Sequence, residues 1–228
     1  MGEASPVDCR VWFADIASLR PVHLALLDGV ERRRRERYVQ AADKARFTVA
    51  AALLRLVVEA ETGIAVDRVR IDRTCPKCAE PHGKPQIVGA DVHVSISHSG
   101  DKVALALTRA AAVGVDVEAV ADRDVTGLAR TVLAPAEPIH RTEDFYTYWC
   151  RKEAVVKATG AGLQVPLIEV VVSPADTPAR LVSYRGAALE CSLSDLPVGP
   201  GYAAAVAVLA EGRLGVQIHD ASVMLAAL

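Results

Sequence analysis

Neither sign of charge dominates this 228-residue chain. Its 26 Lys and Arg stand against 28 Asp and Glu, for a formal net charge of −2. With an isoelectric point near 6.3, it lacks the basic footprint of a general nucleic-acid binder. No apolar run reaches the roughly 18 uncharged residues that a membrane span requires. The opening residues, Met1 to Asp8, have neither the basic end nor the apolar stretch of a secretory leader. Pro6 also stands where a myristoylation pattern wants Ser or Thr. Five cysteines, an odd number with no leader, point to a reducing cytoplasm rather than a disulfide framework. A composition 51% hydrophobic and 24% charged excludes a disordered chain. The length buries a core without metal or disulfide staples. The expectation is a soluble, cytoplasmic globular protein.

Strand-like residues at 11–16 precede helical patterns at about 23–38 and 42–62. In the second, Phe47, Ala50, Ala51, Leu54, Val57 and Val58 recur at three- and four-residue spacing, with Arg46, Arg55 and Glu59 among the polar positions. Gly63 is its stop. Residues 74–91 read as loop, and strands follow at 92–97, 102–108 and 113–118, the first two joined by a turn at Ser99-Gly100-Asp101. Helices at 124–133 and 143–159 and strands at 168–173, 180–184, 187–193, 202–209 and 214–218 complete the chain. Helices then strands, twice, predict an α+β fold of two similar half-domains, 1–110 and 111–228. Each is expected to be a small antiparallel sheet packed with helices, with a cleft between them. No residue-level repeat is evident between the halves.

Five constellations could carry chemistry. In Gly114-Val-Asp116-Val-Glu118, strand alternation puts both carboxylates on one face, about 7 Å apart. They suit either a solvent-facing edge or a hard divalent cation such as Mg²⁺. Trp149, Glu153 and Lys157 share one helical stripe, which is either a solvated ion pair beside a core Trp or the wall of a cleft. His98, in Ser95-Ile-Ser97-His98-Ser99, is a structural histidine or, when protonated, a phosphate donor through both ring N–H groups. The run Glu31-Arg-Arg-Arg34-Arg-Glu-Arg37 is a solvated face or an anion-attracting one, and Lys84 adds a cation beside Gly83. Cys75-Pro-Lys-Cys78 with His82 is half of a zinc site without a fourth ligand at ligand spacing, a redox pair, or an ordinary reduced loop.

In this order the segments resemble the 4′-phosphopantetheinyl transferases, in the compact single-chain type that activates peptide and polyketide synthetases. The match is Val113-Gly-Val-Asp116-Val-Glu118, then Trp149-x-x-Lys152-Glu153-Ala154-x-x-Lys157, with Gly83-Lys84-Pro85 and Ser97-His98-Ser99 upstream; it spans roughly residues 10–210. The resemblance implies a pseudo-twofold pair of α+β halves with coenzyme A and Mg²⁺ between them. It also implies transfer of the 4′-phosphopantetheine arm from coenzyme A to a serine of an apo acyl or peptidyl carrier protein, releasing adenosine 3′,5′-bisphosphate. On this reading Asp116, Glu118 and Glu153 hold Mg²⁺, while Glu153 is general base and Lys157 offsets phosphate charge. Arg34, Arg46, Lys84, Ser97 and His98 contact coenzyme A, with Arg46 and His98 near its 3′-phosphate. Arg34 is ambiguous in register within the arginine run, and Glu31 stands where a second basic residue is expected. The resemblance carries no role for Cys75, Cys78 or His82. Its partners are coenzyme A and the carrier, not nucleic acid or membrane, and the chain is expected to be a monomer. Two other readings use the same residues: a Mg²⁺-dependent nucleotide or phosphate hydrolase, and a non-enzymatic module binding coenzyme A or a protein.

Overall fold

Residues 6–227 are described by a computed structural model of the chain; the first five, read above for a leader, lie outside them. Strand β1, Val7–Asp15, turns Val7, Cys9 and Val11 to one buried face. The single helix expected over 23–38 is two pieces, a 3₁₀ turn at Pro21–Leu26 and helix α1 at Gly29–Glu36. Asp28 makes the break: its carboxylate accepts from Glu31 N–H at 2.8 Å, and the Glu31 carboxylate accepts from Asp28 N–H at 3.1 Å, a reciprocal cap that starts a new helix. Helix α2, Ala41–Thr62, ends at Gly63 in the left-handed conformation (φ 74°), as its position predicts. The helix has no continuous polar face, because every residue from Phe47 to Val58 is buried. Arg55, expected on that polar face, instead pairs with buried Glu31 at 2.8 Å, and this is why an acid sits inside the arginine run.

Short strand β2 (Ile71–Asp72) precedes the loop expected over 74–91, and a second, β3 (Gln86–Ile87), falls inside it. Strands β4 (His93–Ser99), β5 (Lys102–Thr108) and β6 (Val113–Ala119) follow, then helices α3 (Thr126–Val132) and α4 (Thr142–Thr159). Strands β7 (Val170–Val172), β8 (Leu181–Tyr184), β9 (Ser192–Asp195), β10 (Tyr202–Val208) and β11 (Leu214–Asp220) and helix α5 (Ser222–Ala226) complete the order. The strand expected at 187–193 is displaced to 192–195, and Ala187 makes only an isolated bridge back to Tyr184.

The fold is α+β. Its first sheet has the order β11-β1-β5-β4-β3-β2, its second β6-β10-β9, and β7-β8 form a separate hairpin. The first sheet is mixed rather than antiparallel, since β11 runs parallel to β1 with Val7 opposite Leu214. The boundary expected at 110/111 keeps the second sheet whole, and β11 alone crosses it to join the first. β6 leaves the β4-β5 hairpin to pair with β10, and β11 leaves β10 to pair with β1. The two exchanged strands align residue for residue: Val113-Gly-Val-Asp-Val-Glu and Leu214-Gly-Val-Gln-Ile-His. That is a short repeat where none was expected.

Strand alternation then sorts four layers. Trp12, Leu105 and Leu107 face α2. Val11, Ala104, Ala106, Val115, Val117 and Val206 meet between the sheets. Ala205 and Ala207 face Cys150, Ala154 and Val155 of α4. At Gly114 the approach of α4 to β6 is close enough that a Cβ would lie 1.9 Å from the Ala154 carbonyl oxygen and 2.5 Å from Ala158 N. Only glycine admits that contact, and it sets α4 directly over the polar side of β6.

Candidate active site

Because Val113, Val115 and Val117 fill the layer between the sheets, the alternate residues Gly114, Asp116 and Glu118 face α4. Beside them runs β4, which belongs to the other sheet, and hydroxyls join the two edges. Val115 N–H donates to Ser95 Oγ at 3.0 Å, Ser97 Oγ to Asp116 Oδ1 at 2.8 Å, Ser99 Oγ to Glu118 Oε2 at 2.6 Å, and Ala119 N–H to Ser99 Oγ at 3.1 Å. The seam supplies the hydrogen bonds that a bare strand edge would leave open.

A cavity of about 410 Å³ opens along this seam, roofed by α2 on one side and α4 on the other. Arg34, Arg73, Ser97, His98, Asp116, Glu118, Trp149, Glu153 and Lys157 line it, with Tyr38 and Phe47 on the α1–α2 side. The Trp149-Glu153-Lys157 stripe therefore faces a cleft and not bulk solvent. Lys157 Nζ donates to Asp116 Oδ1 at 2.6 Å, Ser97 Oγ at 2.8 Å and the Val115 carbonyl at 3.2 Å. Asp116 is 2% exposed, and its second oxygen, Oδ2, is buried without a hydrogen-bond partner among the described residues. A buried orphan acceptor costs about 1–3 kcal/mol, which a cation or donor arriving in the cavity would relieve.

The other two carboxylates are raised above the usual Glu range, first by burial and then by the neighbouring Asp116 charge; for Glu118 the Ser99 hydroxyl partly opposes this. Glu153 has no hydrogen-bond partner among the described residues. The three acids form an all-oxygen donor set that fits a hard divalent cation. Their ligand oxygens do not all close to within 4.8 Å of one another; the described residues bring together that closely only Cys75, Cys78 and His82.

Positive groups stand opposite. Arg34 lies over the Phe47 ring, 5.6 Å from its centroid, and Arg73 has no side-chain hydrogen-bond partner among the described residues. Partial desolvation, reinforced by the Arg46 and Lys157 cations, holds His98 below the ordinary imidazole range. Arg46 and Lys84 do not line the cavity. Arg46 bonds Asp43 at 2.6 Å and the Gly100 carbonyl at 2.5 Å. Lys84 donates to the Ala158 carbonyl at 2.8 Å, and burial lowers it to about 8.

Sequence reasoning passed over Arg73, because an arginine between a two-residue strand and a loop carries no periodicity. It also left Lys152 without a task. Lys152 is fully buried, pairs with Glu137 at 2.6 Å and donates to the Val132 and Leu167 carbonyls. Its neighbour Arg151 binds Asp195 and the carbonyls of Ser173, Pro174 and Thr177. Arg151 and Lys152 anchor α4 on its buried sides, and the next residue, Glu153, is left pointing into the cavity.

The family profile described as the 4′-phosphopantetheinyl transferase superfamily matches residues 112–207, the span that contains β6 and α4. The 4′-phosphopantetheinyl transferase HetI of Nostoc sp. is 28% identical over 202 residues, covering 82% of this chain and 81% of its own. The 4′-phosphopantetheinyl transferase Sfp of Bacillus subtilis is 25% identical over 191 residues, covering 80% and 82%. The Synechocystis sp. protein slr0495, which carries the same transferase name, is 29% identical over 165 residues, 67% of this chain and 65% of its own. The chain thus spans just under two thirds of that relative and about four-fifths of the other two. The carboxylates of β6 and the Glu-Lys stripe of α4 both lie inside the span, residues 112–207, that matches the 4′-phosphopantetheinyl transferase superfamily.

Proposed function

We propose that this protein transfers the 4′-phosphopantetheine arm of coenzyme A to a serine hydroxyl of an apo acyl or peptidyl carrier protein, releasing adenosine 3′,5′-bisphosphate. The observation that carries this reading is the opposition, across one cavity, of three carboxylates and Lys157 to the cations Arg34 and Arg73. Such a site suits a dianionic pyrophosphate held between a metal and arginines. On this proposal residues 1–110 supply the coenzyme A side, through Arg34, Arg73 and His98, and 111–228 the metal and catalytic side.

Asp116, Glu118 and Glu153 would hold Mg²⁺, with the orphan Oδ2 of Asp116 as the clearest free ligand atom. When bound, Mg²⁺ neutralises pyrophosphate charge. In the transfer, the serine oxygen forms a bond to the β-phosphorus while the bond from that phosphorus to the bridging oxygen breaks, leaving the electron pair on the departing nucleotide. Glu153 takes the serine proton; its raised pKa brings it nearer the working pH of a base, provided one of its oxygens stays clear of the metal. Lys157 holds Asp116 in place and offsets charge on the phosphates. His98 donates a ring N–H to coenzyme A. Ser97 orients Asp116 and Lys157, and any contact it makes with coenzyme A would run beside those bonds. Arg46 and Lys84 would reach coenzyme A by exchanging their present carbonyl partners.

Action as a monomer, without nucleic acid, is part of the proposal, supported by a complete cavity within one chain and a net charge of −2. Placement in a reducing cytoplasm is supported by five cysteines without a disulfide. None of the described helices is long and apolar enough to cross a membrane.

The test is the intact mass of several apo carrier proteins incubated with this protein, coenzyme A and Mg²⁺. A gain of about 340 Da, abolished by chelator and by Glu153→Gln, is expected from the transferred group and the metal requirement. No gain on any carrier, with coenzyme A still bound, would overturn the reading. Adenosine 3′,5′-bisphosphate released without a carrier would point to a hydrolase.

A further inference from the structure

The loop between β2 and β3 takes no part in the reaction above, yet it has more built structure than its exposure explains. From Pro76 to His82 every residue is exposed, so no apolar burial holds its shape. The turn is nevertheless closed by Cys75 N–H to Glu80 O at 2.9 Å, Ala79 N–H to Cys75 O at 2.9 Å and Gly83 N–H to Arg73 O at 2.6 Å. A Cβ at Gly83 would lie 2.8 Å from the Thr74 carbonyl oxygen, so glycine lets the two ends of the loop meet. Ala79 adopts the left-handed conformation at φ 60°, which costs a non-glycine residue roughly 1–2 kcal/mol. It turns the chain immediately after Cys78.

This backbone converges three soft or borderline donors. One ligand atom each from Cys75, Cys78 and His82 lies within 4.8 Å of the others, and Cys78 Sγ is 2.9 Å from His82 Nε2. Two thiolates and an imidazole select zinc over the hard cation suited to the carboxylates. Zinc–sulfur and zinc–nitrogen bonds of about 2.3 and 2.0 Å would open the Cys78–His82 separation to about 3.5 Å, a change that rotation of exposed side chains supplies.

We propose that Cys75, Cys78 and His82 form a zinc site, with its fourth position open to solvent or an added ligand, that cross-links this loop where local packing does not. The bond from Gly83 to the Arg73 carbonyl then ties the closed loop to a residue of the cavity wall. Zinc binding at this loop stands independently of the transfer reaction.

The protein, purified reduced and without chelator, should carry about one zinc per chain by elemental analysis. Cys78→Ser and His82→Ala should each lose it, while Cys191→Ser, outside the loop, retains it. Cobalt(II) loaded in its place should give a thiolate-to-metal charge-transfer band that disappears in Cys78→Ser. Trypsin cleavage after Lys77 should slow at least about tenfold with zinc bound, because the closed loop must open to be cut. The proposal fails if the reduced protein, given equimolar zinc and desalted, retains less than about a tenth of an equivalent. It fails equally if Cys75→Ser/Cys78→Ser keeps its zinc, or if the reduced preparation holds a Cys75–Cys78 disulfide. Far-ultraviolet circular dichroism of each variant separates loss of the ion from loss of the fold.

Discussion

Strands β6 and β11 carry the same pattern, an apolar residue, glycine, valine, then polar and apolar in alternation, and each leaves its hairpin to complete the opposite sheet. Their surroundings differ. β6 has α4 pressed onto its glycine and the β4 serines along its edge, so Asp116 and Glu118 are enclosed with Glu153 and Lys157. β11 closes the rim of the first sheet, where Gln217 is exposed and His219 stacks on Trp12 with ring centroids 5.1 Å apart. The same strand geometry is therefore compatible with a reactive face or an inert one. What distinguishes them is the element that covers the polar positions.

The largest effect should come from the paired glycines. Gly114→Ala places a Cβ against the α4 backbone, which has no rotamer by which to yield, and should destabilise by about 3 kcal/mol or more. Gly215→Ala meets the movable Asp8 carboxylate at 3.0 Å and the Val7 carbonyl oxygen only at an ordinary 3.9 Å, and should cost under about 1 kcal/mol. Urea unfolding of both variants is the check; equal losses would erase the distinction between the strands. Next, Asp116→Asn should lower kcat/KM for carrier modification by at least about 100-fold. Gln217→Ala, at the equivalent place, should stay within about twofold. A comparable loss in both would mean that the cavity is not the reactive site.

A smaller effect tests the seam. Ser95→Ala leaves the buried Val115 N–H without its acceptor and should cost about 1–2 kcal/mol, read from the urea midpoint at constant m-value. The smallest follows from crowding of the acids. A carboxyl group whose pKa is raised on folding favours the fold fully below its unfolded pKa, and that contribution is lost as pH rises through the folded value. Glu153→Gln should accordingly raise Tm by a few degrees at pH 7–8. The gain should vanish as pH falls below the ordinary Glu value of 4.5. A Tm difference that stays constant across that range would assign the effect to packing.

Both long helices, the β4-β5 hairpin and the alternation in β6 were legible because each is local. Apolar periodicity, a capping glycine and a two-residue turn need no distant partner. The carboxylates and the Glu153-Lys157 stripe were legible as spacing, but their enclosure depends on Gly114, which sequence alone presents as another strand residue. Charges misled most. Arg55 and Glu31 read as solvated, and Lys152 was left without a task, because their partners lie far along the chain or across a helix break. The β6–β11 repeat escaped notice because its first glycine and valine are its only identities. Its polar positions diverged along with their surroundings.

The parallel pairing of β1 with β11 has a consequence for biosynthesis. β1 finds β5 about 100 residues later in the chain, but the strand that closes its other edge is encoded about 200 residues downstream. At roughly 5–20 residues per second, that edge waits on the order of 10–40 s for its partner. Throughout that interval the nascent chain presents Val7, Cys9 and Val11 on a strand with one edge unpaired, a template for pairing with another unfinished copy.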